Sequence, residues 1–531
     1  MDIQARSPAL ENDPFAGCDK FYQGLRARLT SKESLGMDHA AMERLLLDEG
    51  TELLRQLYQA WIDQRGSGEV AGDVVVGADE IRRPHTRLLT RNLKTVFGSV
   101  TVSRTGYSAH DADTLFPRDA ELNLPAELYS LGLQRRGVDE VVKTSFDQST
   151  AAVAKTTGAE LPKRQLEESA RRAVVDFDEF YRRRGAAAVG AGAQSSEILV
   201  LTTDAKGIRM RLEYLREATR KIAETHAHKM LKRLSPGEKR GRKRMAQVAG
   251  VYTIAPFIRS PENVAGDLSS VRAVPDERSA LRPRPEHKRL FASIDQEPAR
   301  VVEEMFQEAL RRDPERSKTW AVLVDGSPSQ LKLVKAAARR HGVKVTIVVD
   351  LIHVLEYLWK AAFALLGTGG SETSTASAER WTTQRLLEIL RGRSSDVAAG
   401  MRRSATLRKL TPKQRAAVDT CADYLLKYRP YLRYDAYLSA GLPIATGVIE
   451  GACRHLVNDR MGITGASWSL RGAEAVLKLR SLMASHDLDE YWAFHEKAEW
   501  CRNHAAAYHG PPPPTIPPLK PTLRRHLTLV S

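Results

Sequence analysis

Four acidic residues stand at positions where their chemistry could be used. Asp204 closes the apolar run Ile198-Leu199-Val200-Leu201-Thr202-Thr203, Asp325 closes Trp320–Val324, and Asp350 closes Val343–Val349. Glu450 lies far downstream in Gly447-Val448-Ile449-Glu450-Gly451, and His353 follows Asp350 by three residues. Carboxylates at strand ends suit a hard divalent cation, which prefers oxygen ligands and keeps positions open for water and phosphate. Two such ions about 4 Å apart can activate an attacking oxygen and neutralise a leaving one. Each residue also has a plainer use. Asp204 could be a turn residue ahead of Lys206-Gly207, and Asp325 could cap the helix that follows. Glu450 could pair with Arg454, four residues on, for a few tenths of a kcal/mol (~0.3). His353 could be a ligand, a proton relay or a helix cap.

The surrounding pattern says what must position these groups. Ile198–Thr203 reads as a buried strand ending at Asp204, Gly207–Leu215 as a second strand after a tight turn, and Met245–Ile254 as a third. A helix over Ala299–Arg312, the strand Trp320–Val324, a helix over Gln330–Arg340, the strand Val343–Val349 and a helix over His353–Leu366 follow. An antiparallel meander joined to parallel strands by crossover helices is the order of an RNase H-like domain. In that order the strand after the first crossover helix carries the second carboxylate, which favours Asp325 over its rival Asp350. Beyond the Gly/Ser/Thr loop Gly367–Ser377, Trp381–Leu438 is helical throughout. A helix over Gly447–Arg460 then returns to the sheet, and Gly472–Met483 forms another.

The fold class expected is therefore α/β: an RNase H-like core interrupted by an all-helical insertion. It is preceded by a helical and β-hairpin region. Residues 1–127 hold amphipathic helices and a hairpin centred on Gly98-Ser99. Residues 128–195 hold helices near Val138–Thr144 and Ser149–Thr157, and a third opened by Pro162 as its first residue. Arg182–Ala193 reads as a linker. Pro at a helix start and Gly158 in a turn fit helix–turn–helix punctuation. Lys163, Arg164 and Gln165 then stand where a recognition helix meets base edges. The core falls in two parts, 196–366 and 441–495, around the insertion 367–440. A tail over 496–531, with Pro511–Pro514, is expected to be extended and mobile.

Composition narrows the partners. The 531 residues carry 81 Lys+Arg against 65 Asp+Glu, a formal charge of +16 with pI near 9.6. Such a surplus points to a polyanion, because each basic group on a phosphate releases counterions. No apolar run approaches the ~20 residues that span a bilayer, so nucleic acid is favoured over a membrane. The basic stretch from Lys229, which includes Lys239, Arg240, Arg242, Lys243 and Arg244, reads as a phosphate-tracking loop. Four scattered cysteines argue against a disulfide framework or a cysteine zinc site. With no secretory pattern at the N-terminus, a cytoplasmic location is expected.

Taken in order, the motifs resemble bacterial insertion-sequence DDE transposases of the Kra-four family, which is related to the Mutator-like group. The resemblance rests on Thr202-Thr203-Asp204-Ala205-Lys206-Gly207, Val324-Asp325-Gly326 and Asp350-Leu351-Ile352-His353. It also rests on Gly447–Val457, Gly465-Ala466-Ser467-Trp468-Ser469, Gly472-Ala473-Glu474-Ala475 and Asp489-Glu490-Tyr491-Trp492. It spans about Thr95 to Trp492. One departure is Gly-Ser-Pro-Ser-Gln after Asp325, where an aromatic-containing segment is usual. The resemblance implies that Asp204, Asp325 and Glu450 are the catalytic, metal-holding triad, with two Mg2+ or Mn2+ ions, and that Asp350 and His353 are accessory. It implies cutting of double-stranded DNA at the element's ends and joining of 3′-OH ends to target DNA, by a homo-oligomer in a synaptic complex in a bacterial nucleoid. Arg454 and Arg460 are candidate phosphate contacts, and Trp468 a candidate base-stacking residue or a core tryptophan. Two other readings use the same residues: a domesticated DNA-binding protein without catalysis, and an RNase H-like structure-specific nuclease.

Overall fold

The computed structural model describes residues 13–72, 74–187, 198–225, 242–268, 282–367, 372–508 and 510–516. The chain divides into two compact units, Met1–Asp176 with Asp489–Ser531, and Phe177–Leu488. Among the described residues, no helix is long and apolar enough to cross a membrane.

The first unit opens with α1 (Ala16–Leu29) and the long α2 (His39–Gln64), whose N-cap Asp38 accepts a hydrogen bond from Ala41 N. A meander of β1 (His85–Thr95), β2 (Gly98–Ala109) and β3 (Ala112–Leu115) follows. The hairpin turns at Val96-Phe97, with Thr95 opposite Gly98, so the expected centre at Gly98-Ser99 is two residues late. Thr95 fixes that turn: its Oγ1 donates to Gly98 O and accepts from Phe97 N. Ile62 of α2 joins Leu93, Val100, Val102 and Leu124 in a small core.

Past the short helix Pro117–Glu121 come three longer ones: α3 (Leu131–Val141), α4 (Phe146–Thr156) and α5 (Lys163–Arg172). Ser130 and Ser145 cap the first two through their hydroxyls. Pro162 is the N-cap of α5 rather than its first helical residue. Gly137 lets α3 and α5 close up, since a Cβ there would lie 2.6 Å from Leu166 Cδ1. The C-terminal segment begins as a helix and is not loose throughout. Ile516 N donates to Glu69 O at 2.7 Å and Thr515 bridges Val70, so the end of the proline run is pinned, contrary to the mobile tail expected. Residues 517–531 lie outside the described residues.

The second unit begins with α6 (Phe177–Ala187), where a linker over Arg182–Ala193 was expected. Arg and Ala favour helix, and Glu179 pairs with both Arg182 and Arg183. The part of that linker over 188–193 lies outside the described residues.

Its sheet contains β4 (Ile198–Arg209), β5 (Lys243–Ile254), β6 (Glu286–Ser293), β7 (Thr319–Val324) and β8 (Thr346–Val349). Their order is β8-β7-β4-β5-β6, with β4–β7 and β7–β8 parallel and the other pairs antiparallel. The expected break after Asp204 is absent. β4 runs on unbroken because β5 offers partners as far as Lys243 opposite Arg209. Residues 212–214 form a short 3-10 turn instead of the end of a second strand. The third member of the meander is Glu286–Ser293, a strand that sequence pattern did not reveal.

Crossover helices α7 (Pro298–Arg312) and α8 (Pro328–His341) join β6 to β7 and β7 to β8. α9 (Leu351–Leu366) buries Val354, Leu358, Ala361 and Leu365, the i, i+4, i+7, i+11 stripe of a core-facing helix. The helical segment α10 (Glu372–Leu390), α11 (Ser394–Leu407) and α12 (Pro412–Tyr428) is not a separate body. Its Trp381, Ile389, Val397, Met401, Val418 and Leu425 share one continuous core with the sheet. Past it, Tyr434 Oη and Tyr437 Oη donate to Val349 O and Ile347 O, closing the β8 edge. At the opposite edge Ser485, which follows α13 (Leu470–Ala484), bonds both backbone groups of Leu290.

Candidate functional site

Strand register assembles the site. β4 pairs with β7 up to Thr202 opposite Leu323, and β7 with β8 up to Val324 opposite Val349. The same offsets carried forward put Asp204, Asp325 and Asp350 in one row across three adjacent parallel strands, with Asp325 and Asp350 just past the ends of β7 and β8 and Asp204 within β4. Ligand sites in open α/β sheets gather at such ends. Beyond Asp325 the chain turns away through Gly326, whose φ of +89° suits glycine. Ser327 N donates to Asp325 Oδ1 at 2.7 Å, and Tyr424 Oη to Asp325 O at 3.2 Å.

Asp350 and Asp325 are held differently. Asp350 is fully buried and caps α9. Its Oδ1 accepts from Ile352 N and Thr446 N, both at 3.1 Å, and its Oδ2 from His353 Nδ1 at 3.0 Å and Thr446 Oγ1 at 2.7 Å. Four donors fill the lone pairs of this carboxylate. Burial alone would raise its pKa, but the bonds from His353, Thr446 and Ile352 outweigh it and hold the group below its ordinary value. His353 is pushed up in turn, chiefly by its bond to Asp350. Asp325 is pushed up, first by burial and then by repulsion from Asp204 and Asp350.

The last acidic residue arrives on a short helix, Gly447–Ala452, preceded by Thr446. Glu450 Oε1 lies 3.4 Å from Thr446 Oγ1. Ligand atoms of Asp350, His353 and Glu450 lie within 4.8 Å of one another, a spacing that could hold a metal ion. One turn on, Cys453 Sγ donates to Asp204 Oδ2 at 3.3 Å, tying the Glu450 helix to β4. Burial, and next the Asp204 charge, pushes the Cys453 thiol far up, so it is a neutral donor and not a thiolate ligand. From Cys453 to Asn458 the helix widens into a π turn, a distortion frequent at functional sites. Thr446 and Cys453 were missed by sequence reasoning. Their only signal was spacing: four residues before and three after Glu450. Carboxylate oxygens dominate the donor set, which fits a hard divalent cation such as Mg2+ better than zinc.

A second cluster of metal-ligand type, Asp176, His495 and Glu499, occurs in the first unit. Arg502 already bonds both acids there, at 3.0 Å and 2.8 Å, so the cluster is an internal ion-pair network.

The candidate DNA contacts fare unequally. Arg164 is exposed, while Lys163 is paired with Asp147 at 2.8 Å and Gln165 is half-buried. Lys239 and Arg240 lie outside the described residues, as does the stretch 226–241. Lys243 is exposed and Arg242 half-buried. Arg244 is a correction: its guanidinium is spent on the carbonyls of Ile294 and Asp295. Arg454 is exposed, 3.6 Å from Asp459. Arg460 is also a correction, and Trp468 takes the core reading of its two, because both are turned inward. Trp468 Nε1 donates to Met461 O at 3.1 Å, and the Arg460 guanidinium lies 4.9 Å above the indole. Burial, with Arg480 nearby, pushes Arg460 down to about 10. The Gly-Ala-Ser-Trp-Ser loop binds the end of β4 through Trp468 N to Arg209 O and Arg211 N to Trp468 O, which makes Trp468 a core tryptophan.

No protein-family model matches the chain, and no curated protein matches it. Among solved structures, it is similar to the Drosophila P element transposase strand transfer complex. The identity is 10%, the match covers 72% of this chain and 82% of that one, and the TM-score is 0.23. A likeness of that size carries no argument about this chain.

Proposed function

We propose that this chain is a DDE-type DNA transposase of the insertion-sequence class, similar to the Kra-four family, on an RNase H-like sheet. The observation that carries the reading is the row Asp204, Asp325, Asp350 across three parallel strands, with Glu450 delivered beside Asp350 by a later helix. The strand order β8-β7-β4-β5-β6, three antiparallel strands followed by two parallel ones, supports the fold half of the proposal. The ordered motifs support the family half.

In this reading Asp204, Asp325 and Glu450 hold two divalent ions. Bound there, Mg2+ or Mn2+ supplies an activated oxygen nucleophile and neutralises the leaving oxygen of a phosphodiester. Asp325 is preferred to Asp350 because Asp325 Oδ2 takes no hydrogen bond among the described residues, whereas both Asp350 oxygens are filled. Asp350 then acts as a positioning residue, fixing His353 and the Thr446 turn that leads to Glu450. Cys453 steadies Asp204. The partner is double-stranded DNA, first the element's ends and then the target, gripped in part by Arg164 and Lys243. Two ends must be joined together, so a homo-oligomeric synaptic complex is part of the proposal.

The test is strand cleavage of a supercoiled plasmid carrying the parent element's ends, with Mg2+ or Mn2+. Asp325→Asn and Glu450→Gln should abolish cutting while DNA binding persists, and Asp350→Asn should retain partial activity. Normal cutting by Asp325→Asn with loss in Asp350→Asn would move the ligand to β8. An unmodified protein that binds the ends yet never cuts would instead mark a DNA-binding protein without catalysis.

A further inference from the structure

Two faces of α2 are covered by other elements and a third is largely uncovered, with Trp61 there stacked on Tyr58 at 5.7 Å and Arg65 5.2 Å from its ring. Glu49 on one face pairs with Arg28 of α1, and Gln59 on another exchanges hydrogen bonds with both backbone groups of Thr101 on β2. Away from both, Leu46, Leu47, Leu54, Leu57 and Trp61 fall on one stripe, since successive helical residues are offset by about 100°. All five are 38–64% exposed. Scattered exposed apolar residues need no explanation, but a contiguous stripe marks an interaction surface.

Two features say what covers it. Leu47, Leu54 and Trp61 recur every seven residues, with Gly50 and Leu57 three residues after the first two, which is the a and d spacing of a coiled-coil seam. Gly50 lies inside the 26-residue helix, where glycine costs stability relative to alanine. Among the described residues nothing lies within 4 Å of where its Cβ would be, so none of them requires a glycine there. The stripe thus has a gap at Gly50 and a large knob at Trp61.

We infer that α2 is a self-association surface, pairing antiparallel with α2 of a second copy of this chain. A two-fold axis midway between Leu54 and Leu57 sets Leu54 against the partner's Leu57. It also sets Gly50 against the partner's Trp61, so each knob fills the other copy's gap. Leu47 then lies over the aliphatic stem of the partner's Gln64. A parallel pair would instead set gap against gap and knob against knob. The helix is about 39 Å long, enough for three such layers on either side of the axis. An isologous two-fold contact of this kind is the commonest in soluble oligomers. The inference stands apart from the metal-site reading, since no residue of the carboxylate row takes part.

Sedimentation equilibrium of the full chain, without DNA or metal, tests it. The unmodified protein should dimerise at micromolar concentration. Leu54→Glu/Leu57→Glu should weaken the dimer by about a hundredfold, with circular dichroism unchanged because both residues are exposed. Gly50→Trp should also weaken it, and adding Trp61→Ala to Gly50→Trp should restore it. A monomeric unmodified protein, or an undiminished dimer in Leu54→Glu/Leu57→Glu, would overturn the surface. Failure of Trp61→Ala to rescue Gly50→Trp would overturn the antiparallel pairing.

Discussion

Along the sheet of the second unit, charge is arranged in two opposite ways. On β6, Arg289 is fully buried between Glu304 at 2.6 Å and Glu308 at 2.7 Å, and Arg311 and Arg312 complete the neutralisation of Glu308. Burial would raise the pKa of Glu308, but these guanidiniums drive it far below the usual carboxylate range. In the row across β4, β7 and β8, Asp350 is held low by its own donors, but Asp325 is pushed up, first by burial and then by repulsion from Asp204 and Asp350. The first cluster is complete in itself and serves the fold. The second is electrostatically unfinished, and a cation would complete it. Frustrated charge kept in an ordered core is the mark of a site that stability alone would not select.

The contrast is easiest to break at its stable end. Glu308→Ala removes an acid on which three guanidiniums converge and should cost about 3–5 kcal/mol in urea unfolding, as when one member of a buried pair is deleted. A cost below about 1 kcal/mol would mean that the cluster is no more structural than a surface pair.

Asp325→Asn should behave oppositely. Without metal it should leave stability unchanged or raise it by about 1 kcal/mol, because it relieves repulsion. The two acids also differ in pH dependence. The native state holds the Asp325 proton more tightly than the unfolded chain does. Its contribution to metal-free stability therefore falls as pH rises from the ordinary aspartate value through the raised one. Glu308 contributes stability above its ordinary value, and this is lost only as pH falls through the lowered one. Urea midpoints for the unmodified chain and Asp325→Asn, from about pH 4 to pH 7, should therefore diverge as pH rises. Parallel curves would remove the claim of unfinished charge.

Much of this contrast was legible in the sequence on one side and hidden on the other. Asp204, Asp325 and Asp350 each follow an apolar run, and runs that pair in register as strands bring the three into one row. The helices α4 and α5 announced themselves through Gly158 and Pro162, whereas the helix expected near Val138–Thr144 starts seven residues earlier, at Leu131 behind the Ser130 cap. Arg289 did not announce itself, because β6 reads Glu-His-Lys-Arg before its apolar residues, and the partners that pair it, Glu304 and Glu308, lie on α7. Asp204 was read as a strand terminus because Lys206-Gly207 resembles a turn, whereas the partner strand β5 decides. Thr446 meets Asp350 across 96 residues and Cys453 meets Asp204 across 249, contacts that no local pattern encodes. Arg460 read as surface chemistry and Trp468 as either a stacking or a core residue; the two pack on each other, an arrangement set by the loop's attachment to β4.

The most direct test of the unfinished site is calorimetric titration of the full chain with Mn2+ at neutral pH, comparing the unmodified protein with Asp204→Asn, Asp325→Asn and Lys288→Ala. Lys288 precedes Arg289 on β6 and is exposed, so its variant serves as a control. Saturable binding is expected, lost or greatly weakened in the two aspartate variants and unchanged in Lys288→Ala. Equal binding in all four, or none in the unmodified protein, would contradict it.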